Sequence, residues 1–169
     1  TRSRRTSRSY ESKTPHTDAA RIAETATPAA TTGQKVISLV WPYWQRQAVA
    51  DRSCELLAKH YAALDLELVV VDDGNVELYR APAMPFPVRV VRLPEKRLPL
   101  NPCVPINAGV AASRGDFIAI SNPEMLHVSA ILADMQAEIE SRQDAYVTAA
   151  AWFPDGNCWH AHSSMAGRP

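Results

Sequence analysis

The sequence predicts an α/β fold in which a mainly parallel sheet is flanked by helices. Short, continuous apolar runs rich in β-formers alternate with stretches of helical periodicity, and no internal repeat is evident. Continuous apolar runs are typical of parallel strands that are buried on both faces, and their alternation with helices indicates crossover connections. The 169 residues, 46% of them hydrophobic, suffice for one sizeable core, so one globular domain is expected.

The globular domain is expected to span residues 34–169, after a disordered tail or linker at 1–33. Tyr10 and Ile22 are the only sizeable apolar residues of the tail, too few to offset the entropy cost of ordering it. Seven Lys or Arg and three acidic residues fall within the first 35 positions, so the tail suits either a plain linker or a basic arm that touches anionic surfaces. Because the formal net charge of the chain is zero, the remainder is acidic, which disfavours nucleic-acid binding by the domain.

The first half of the domain predicts a strand, a helix and two more strands. A β-rich run at 36–40 is stopped by Pro42, and residues 47–64 place Val49, Leu56 and Leu57 on one helical face. The run 66–71, apolar except for Glu67, predicts a second strand that ends in a tight Asp-Asp-Gly-Asn loop. Residues 88–93 predict a third strand, and the proline-rich stretches 81–87 and 94–105 around it predict loops.

The second half predicts two more pairs of helix and strand. Residues 106–113 are helical in pattern and are ended by Gly115, and the apolar run 116–121 predicts a fourth strand. Ser129 is expected to cap a helix that runs to about 142. Residues 145–152 predict a fifth strand.

Cysteine usage and hydropathy indicate a cytoplasmic protein without a transmembrane segment. The three cysteines are widely spaced and form no C-x-x-C pair, so neither a disulfide framework nor a zinc site is expected. No apolar run approaches the roughly 18 residues that a spanning helix needs, and the N-terminus lacks the pattern of a signal peptide. Since the chain begins with Thr rather than Met, we expect it to be a piece of a longer product.

Candidate ligand-binding residues follow the predicted strands, because ligands of open α/β sheets bind beyond the carboxyl ends of the strands. A G-x-G-x-x-G dinucleotide motif is absent after the first predicted strand, which argues against a dinucleotide-binding domain. Three predicted strands end at polar or aromatic residues, namely Pro42 and Tyr43, Asp72 and Asp73, and Asn122 with Glu124.

Three segments, in this order and spacing, resemble family 2 glycosyltransferases: ISLVWPYW at 37–44, LVVVDDGN at 68–75 and NAGVAASRGDFIAI at 107–120. The resemblance covers about residues 36–152. It implies the Rossmann-like GT-A fold and, within it, the portion that binds the nucleotide sugar, incomplete at the C-terminus because the acceptor half would follow.

The resemblance assigns nucleotide-binding roles to residues after the first two strands. It places Pro42 and Tyr43 in the pocket for the base, although a strand-ending turn with Tyr43 packed on the core is an alternative. It assigns contact with the nucleoside to Asp72 and Asp73, whereas an aspartate that only caps the loop is the simpler interpretation. Asn107 would touch the nucleotide loop, or would serve as a helix cap.

After the fourth strand the family carries an Asp-x-Asp triplet that holds Mg²⁺ or Mn²⁺ against the diphosphate. The triplet here is Asn122-Pro123-Glu124, so the resemblance implies metal ligation by Glu124 and Asn122 with one fewer carboxylate, and Asn122 could also bind the nucleotide. His127 lies nearby as a further nitrogen donor or as an ordinary surface histidine. Lys96 and Arg97 would neutralise the diphosphate, or lie on a solvated loop.

The implied activity is that of a hexosyltransferase. A sugar passes from a UDP- or GDP-sugar donor to an acceptor glycan or another hydroxyl compound, and a carboxylate deprotonates the acceptor. Residues 153–169 contain no match to the family's acidic acceptor motif, so the chain by itself is expected to be inactive. The alternative is a catalytically silent module that binds nucleotide sugars or acts as a scaffold.

Overall fold

The structure is a computed structural model that describes residues 21–25, 35–95, 101–142, 146–149 and 151. In chain order its elements are β1 (Arg21–Thr25), β2 (Ile37–Tyr43), α1 (Gln47–Tyr61), β3 (Leu66–Asp72), β4 (Val88–Arg92), α2 (Cys103–Ala112), β5 (Phe117–Ile120) and α3 (Ile131–Glu140). In the part of the chain so described, no helix is both long and apolar enough to cross a lipid bilayer.

The five strands form one sheet in the order β1-β4-β3-β2-β5. Strands β2 to β5 are parallel to one another, and β1 is antiparallel to β4. The predicted α/β fold with a mainly parallel sheet flanked by helices is therefore confirmed.

Strand β1 lies within the segment that composition predicts to be disordered, so the structure differs from the prediction at these five residues. Its backbone pairs with β4 from Arg21 opposite Arg92 to Thr25 opposite Val88. An open sheet edge presents a row of unpaired N–H and C=O groups, and a strand that pairs with it needs few apolar side chains of its own. Composition alone therefore does not reveal such a strand.

One face of the sheet packs against α1 and α3. Leu39 and Trp41 of β2 and Leu68 of β3 are fully buried there in one cluster with Leu57 of α1 and Leu132 of α3. Alternate side chains of β2 and β3 thus supply this layer, as the two-residue period of a strand requires.

The opposite face packs against α2. Val40 and Val71 are buried on this face beside Ala108 and Ala112 of the helix. A Cβ built on Gly109 would lie 2.9 Å from Cγ2 of Val71 and closer still to Val40, so the helix backbone rests directly on the sheet. Small residues in α2 are what permit this approach, and the domain has three layers.

A buried polar cluster at the amino end of the same face explains the charged residue in the predicted strand 66–71. Glu67 accepts hydrogen bonds from the Ser38 hydroxyl at 2.5 Å and from the Arg114 amide at 2.6 Å, and its other oxygen lies 3.5 Å from Nη2 of Arg89. Gly115 donates its amide to the Ser38 hydroxyl at 2.8 Å. These bonds fix the turn between α2 and β5 to the sheet.

Several predicted element bounds need correction. Strand β2 is not stopped by Pro42 but continues to Tyr43, and α1 ends at Tyr61 rather than at 64. Helix α2 begins at Cys103, three residues early, because Pro105 is tolerated in a first turn, where the amide it lacks has no helical partner. Helix α3 begins after Ala130 without a side-chain cap, so Ser129 is not its cap. The predicted strand 145–152 is not formed at 146–149 or at 151, and its other residues lie outside the described ones. This segment is rich in alanine, a poor strand former.

Candidate ligand-binding cleft

The order of the strands creates a topological switch point between β2 and β5. From β2, the connection through α1 leads to β3, the neighbour of β2 in the sheet. The connection from β4 through α2 leads past β3 and β2 to β5, which is the neighbour of β2 on the other side. In open parallel sheets the loops diverge at such a point and leave a crevice beyond the carboxyl ends of the strands. A cleft of about 320 Å³ lies there, and it is lined by Pro42, Tyr43, Trp44, Arg46, Asp73, Asn101, Pro102, Pro105, Asn122 and Glu124.

Two aromatic residues border the cleft at the end of β2. Tyr43 is the last residue of the strand, only 3% exposed, and its ring centroid lies 4.8 Å from that of Tyr79. Burial raises the pKa of Tyr43, so its hydroxyl stays protonated. Tyr43 therefore belongs mainly to the core, as the alternative interpretation held, while part of it and the half-buried Trp44 face the cleft.

Asn75 joins the loop after β2 to the loop after β3. Its Oδ1 accepts the Gln45 amide at 2.9 Å, and its Nδ2 donates to the Tyr43 carbonyl at 3.3 Å. Gln45 adopts a left-handed backbone with φ 48°, so the chain turns sharply before α1. The loops that follow β2 and β3 are thereby held together.

Asp72 lies beneath the cleft and does not line it. Its carboxylate is 1% exposed and accepts bonds from the amide and Nδ2 of Asn75 at 3.0 and 2.5 Å, from the Tyr79 amide at 3.0 Å and from Nη1 of Arg92 at 3.0 Å. These four bonds use the acceptor capacity of the group. Asp72 therefore shapes the loop, which is the simpler of the two roles that the sequence offers.

Asp73, the next residue, lines the cleft. It is the first residue beyond β3, and its amide donates to the Tyr43 carbonyl at 3.0 Å. Gly74 follows with φ 77°, a backbone that other residues rarely adopt, and allows the chain to turn away at once. Of the two predicted aspartates, this one lines the cleft, with 4% of the residue exposed.

Asn122 and Glu124 reach the cleft from the loop after β5. The Met125 amide donates to the Asn122 carbonyl at 3.0 Å, and the Ser53 hydroxyl of α1 donates to the Pro123 carbonyl. The Glu124 carboxylate forms an ion pair of 2.7 Å with Nη1 of Arg46. Sequence reasoning missed Arg46, although a cation three residues beyond a strand end, at the start of a helix, is a detectable signal.

The remaining predicted residues are not brought to the cleft by the described part of the chain. Asn107 is exposed in the middle of α2, since the helix begins earlier than predicted, and it does not line the cleft. Asn101 lies there instead, and its Oδ1 accepts the Cys103 amide at 2.9 Å. Lys96 and Arg97 lie outside the described residues.

His127 is bound at the opposite end of α1. Its Nδ1 lies 2.7 Å from the hydroxyl of Tyr61, and burial lowers its pKa. Along α1, Tyr61 is about 22 Å from Arg46 at 1.5 Å per residue. The imidazole is therefore part of the packing between α1 and the segment before α3, away from the Glu124 ion pair.

The predicted Mg²⁺ or Mn²⁺ site stays a prediction, and the described residues of the cleft offer few ligands for it. No three His, Cys, Asp or Glu side chains among them lie close enough together to hold a metal. The cleft offers two carboxylates, Asp73 and Glu124, and the second is already paired with a guanidinium. Hard divalent cations prefer several oxygen ligands, so these residues do not form a ready-made site.

Comparison of the chain with protein-family models, with curated proteins and with solved structures finds no match.

Proposed function

We propose that the cleft binds the nucleoside diphosphate part of a nucleotide sugar, as the donor-binding part of a family 2 glycosyltransferase of the GT-A fold. The observation that carries the proposal is the position of the cleft. Groups from the ends of β2, β3 and β5 converge at the switch point, and these are the strand ends whose sequences resemble that family.

Each wall of the cleft suits one part of such a ligand. Tyr43 and Trp44 offer aromatic surface to a base, and Asp73 is a hydrogen-bond acceptor for the base edge or the ribose. Arg46 and Asn122 offer donors to phosphate oxygens. A volume of about 320 Å³ lies at the small end of the range for ligand sites, which fits a nucleotide better than a whole donor.

The proposed parent reaction is transfer of a hexose from a UDP- or GDP-sugar to an acceptor hydroxyl, which needs a base for the acceptor. The cleft residues assigned above serve the donor, and none of them is assigned to that step. A second candidate is a silent nucleotide-sugar-binding module. The ion pair that occupies Glu124, where the family places a metal ligand, favours this alternative.

Isothermal titration calorimetry with UDP, GDP, ADP and CDP tests the proposal. We expect one of the four to bind, and Asp73→Asn to weaken that binding by about 10- to 150-fold, the equivalent of about 1.5–3 kcal/mol for a hydrogen bond to a charged group. Asp134→Asn, on an exposed residue of α3, is the control and should bind like the unaltered chain. Absence of binding by all four nucleotides would refute the proposal.

Release of UDP or GDP from a panel of nucleotide sugars, measured on the proposed parent protein, separates the two candidates. A transferase domain should hydrolyse its donor slowly in the absence of an acceptor. A silent module should bind the same nucleotide sugar and release no product.

A further inference from the structure

We infer that Arg46 is the residue that binds the diphosphate, and that Glu124 is the counter-ion that the diphosphate displaces from Arg46. This inference rests on the proposed function, because it assigns the anionic part of the same ligand. It gives Glu124 a role opposite to the metal ligation implied by the sequence.

The ion pair joins the two sides of the switch point. Arg46 follows β2 and begins α1, whereas Glu124 follows β5, and Nη1 of the arginine lies 2.7 Å from Oε1 of the glutamate. Both side chains line the cleft. A ligand that enters between the two loops therefore meets this pair.

Both residues have a fixed backbone and an accessible side chain. The Arg46 carbonyl accepts the Ala50 amide at 2.9 Å in the first turn of α1, and the preceding residue is held by Asn75. On the other side, the Ser53 hydroxyl holds the carbonyl of Pro123. The side chains of Arg46 and Glu124 are 59% and 38% exposed, and ion pairs this exposed contribute little to stability. The pair can therefore exchange partners without loss of the loops that carry it.

The charges of the cleft make such an exchange favourable. Of the described residues that line it, Arg46 is the only cation, and Asp73 and Glu124 are the acids. A diphosphate needs a cation, and a guanidinium can bind two phosphate oxygens at once through its planar fork. Glu124 then competes with the diphosphate for Arg46, and its negative charge also repels the diphosphate.

Substitution of Glu124 separates this role from metal ligation by the sign of its effect. If Glu124 held a divalent cation against the diphosphate, Glu124→Gln would weaken binding in Mn²⁺. If Glu124 is a competing counter-ion, the same substitution frees Arg46 and strengthens binding in Mn²⁺ as well as in EDTA. The gain should be about two- to five-fold, the range set by an exposed ion pair.

The test is calorimetry, in Mn²⁺ and in EDTA, with the nucleoside diphosphate that binds the unaltered chain and with the nucleoside of the same base. Arg46→Gln should weaken diphosphate binding by about 10-fold or more and leave nucleoside binding unchanged. Arg46→Lys keeps the charge without the fork and should give an intermediate loss. The matched controls are Arg52→Gln and Glu138→Gln, exposed members of ion pairs within α1 and at the end of α3, and both should bind like the unaltered chain.

The outcomes distinguish the inference from the proposed function. No binding by the unaltered chain would overturn both. Normal diphosphate affinity of Arg46→Gln, or weaker binding by Glu124→Gln in Mn²⁺ or in EDTA, would overturn the inference alone. Tighter binding by Glu124→Gln together with selective loss in Arg46→Gln would support it, provided that circular dichroism shows both variants to be folded.

Discussion

Replacement of Asp72 should damage the fold of the loop after β3 and thereby the stability of the domain. Asp72→Ala removes the acceptor for four donors, namely two groups of Asn75, the amide of Tyr79 and the guanidinium of Arg92. The carboxylate is 1% exposed, so water does not replace it where the donors stay buried. Asp72→Asn is the milder change, because it retains one oxygen.

The size of the effect follows from these contacts. Asp72→Ala leaves the two Asn75 donors and the Tyr79 amide buried without their acceptor, at about 1–3 kcal/mol for each, so the free energy of unfolding should fall by about 3 kcal/mol or more. In Asp72→Asn the bonds to Asn75 remain, while the new amino group faces Tyr79 and Arg92. The Arg92 side chain is 28% exposed and can reach water, so most of the cost falls on the Tyr79 amide, about 1–3 kcal/mol. Small domains have about 5–15 kcal/mol in total, so the alanine variant should remain measurable but weak.

Urea denaturation followed by circular dichroism measures these free energies, and an unchanged m-value would show that the unfolded surface is the same. Asp134→Ala, an exposed residue of α3, is the control and should lie within about 0.5 kcal/mol of the unaltered chain. If both Asp72 variants matched that control, the network would not hold the loop. In that case direct contact of Asp72 with the ligand, the role that the resemblance implies, would be the better explanation.

Three further predictions concern other parts of the fold. Gly109→Ala should lower the free energy of unfolding by up to about 2 kcal/mol. Crowding against Val71 costs about 1–3 kcal/mol, and the better helix propensity of alanine offsets about 1 kcal/mol of this. A variant more stable than the unaltered chain would show that α2 can shift away from the sheet without cost. Burial lowers the pKa of His127 in the folded chain, so the imidazole is protonated more readily in the unfolded chain. The free energy of unfolding should therefore fall as the pH drops below about 6.5. In His127→Gln, urea titrations at several pH values should show a weaker dependence of this free energy on pH. Deletion of residues 1–34 removes β1 and should cause self-association through the edge of β4, which light scattering would detect. Deletion of residues 1–20 retains β1 and should leave a monomer. The same degree of association in both deletion variants would argue that β1 does not protect the edge of β4.

The four parallel strands were predictable because most of their residues are apolar on both faces. The runs at 36–40, 66–71, 88–93 and 116–121 each became a parallel strand, and a charged residue such as Glu67 did not disrupt its run because a buried arginine and a serine surround it. The carboxyl ends of these strands meet at one edge, so the location of the cleft was also predictable.

Which of the candidate residues line the cleft, and which only support its loops, was not predictable from the sequence. Asp72 and Asp73 are chemically identical in the sequence, and only the point at which β3 ends decides that the first is enclosed and the second faces the cleft. Strand ends are uncertain by a residue or two in any sequence-based assignment. The partner of Arg46 lies 78 positions away, so no local pattern indicates that pair.

The placement of α3 on the same face as α1 limits how the sheet can be extended. The crossover from β2 through α1 leads towards the β1 edge of the sheet, and the crossover from β4 through α2 leads towards the β5 edge. Because the two helices also lie on opposite faces of the sheet, both crossovers have the same hand. A further parallel strand outside β5 would need α3 to lie with α2, because crossovers of the other hand are very rare in proteins. Any strand that α3 leads to beside β5 should therefore run antiparallel. Such a strand would begin at the edge where the parallel strands finish, which is the edge that carries the cleft.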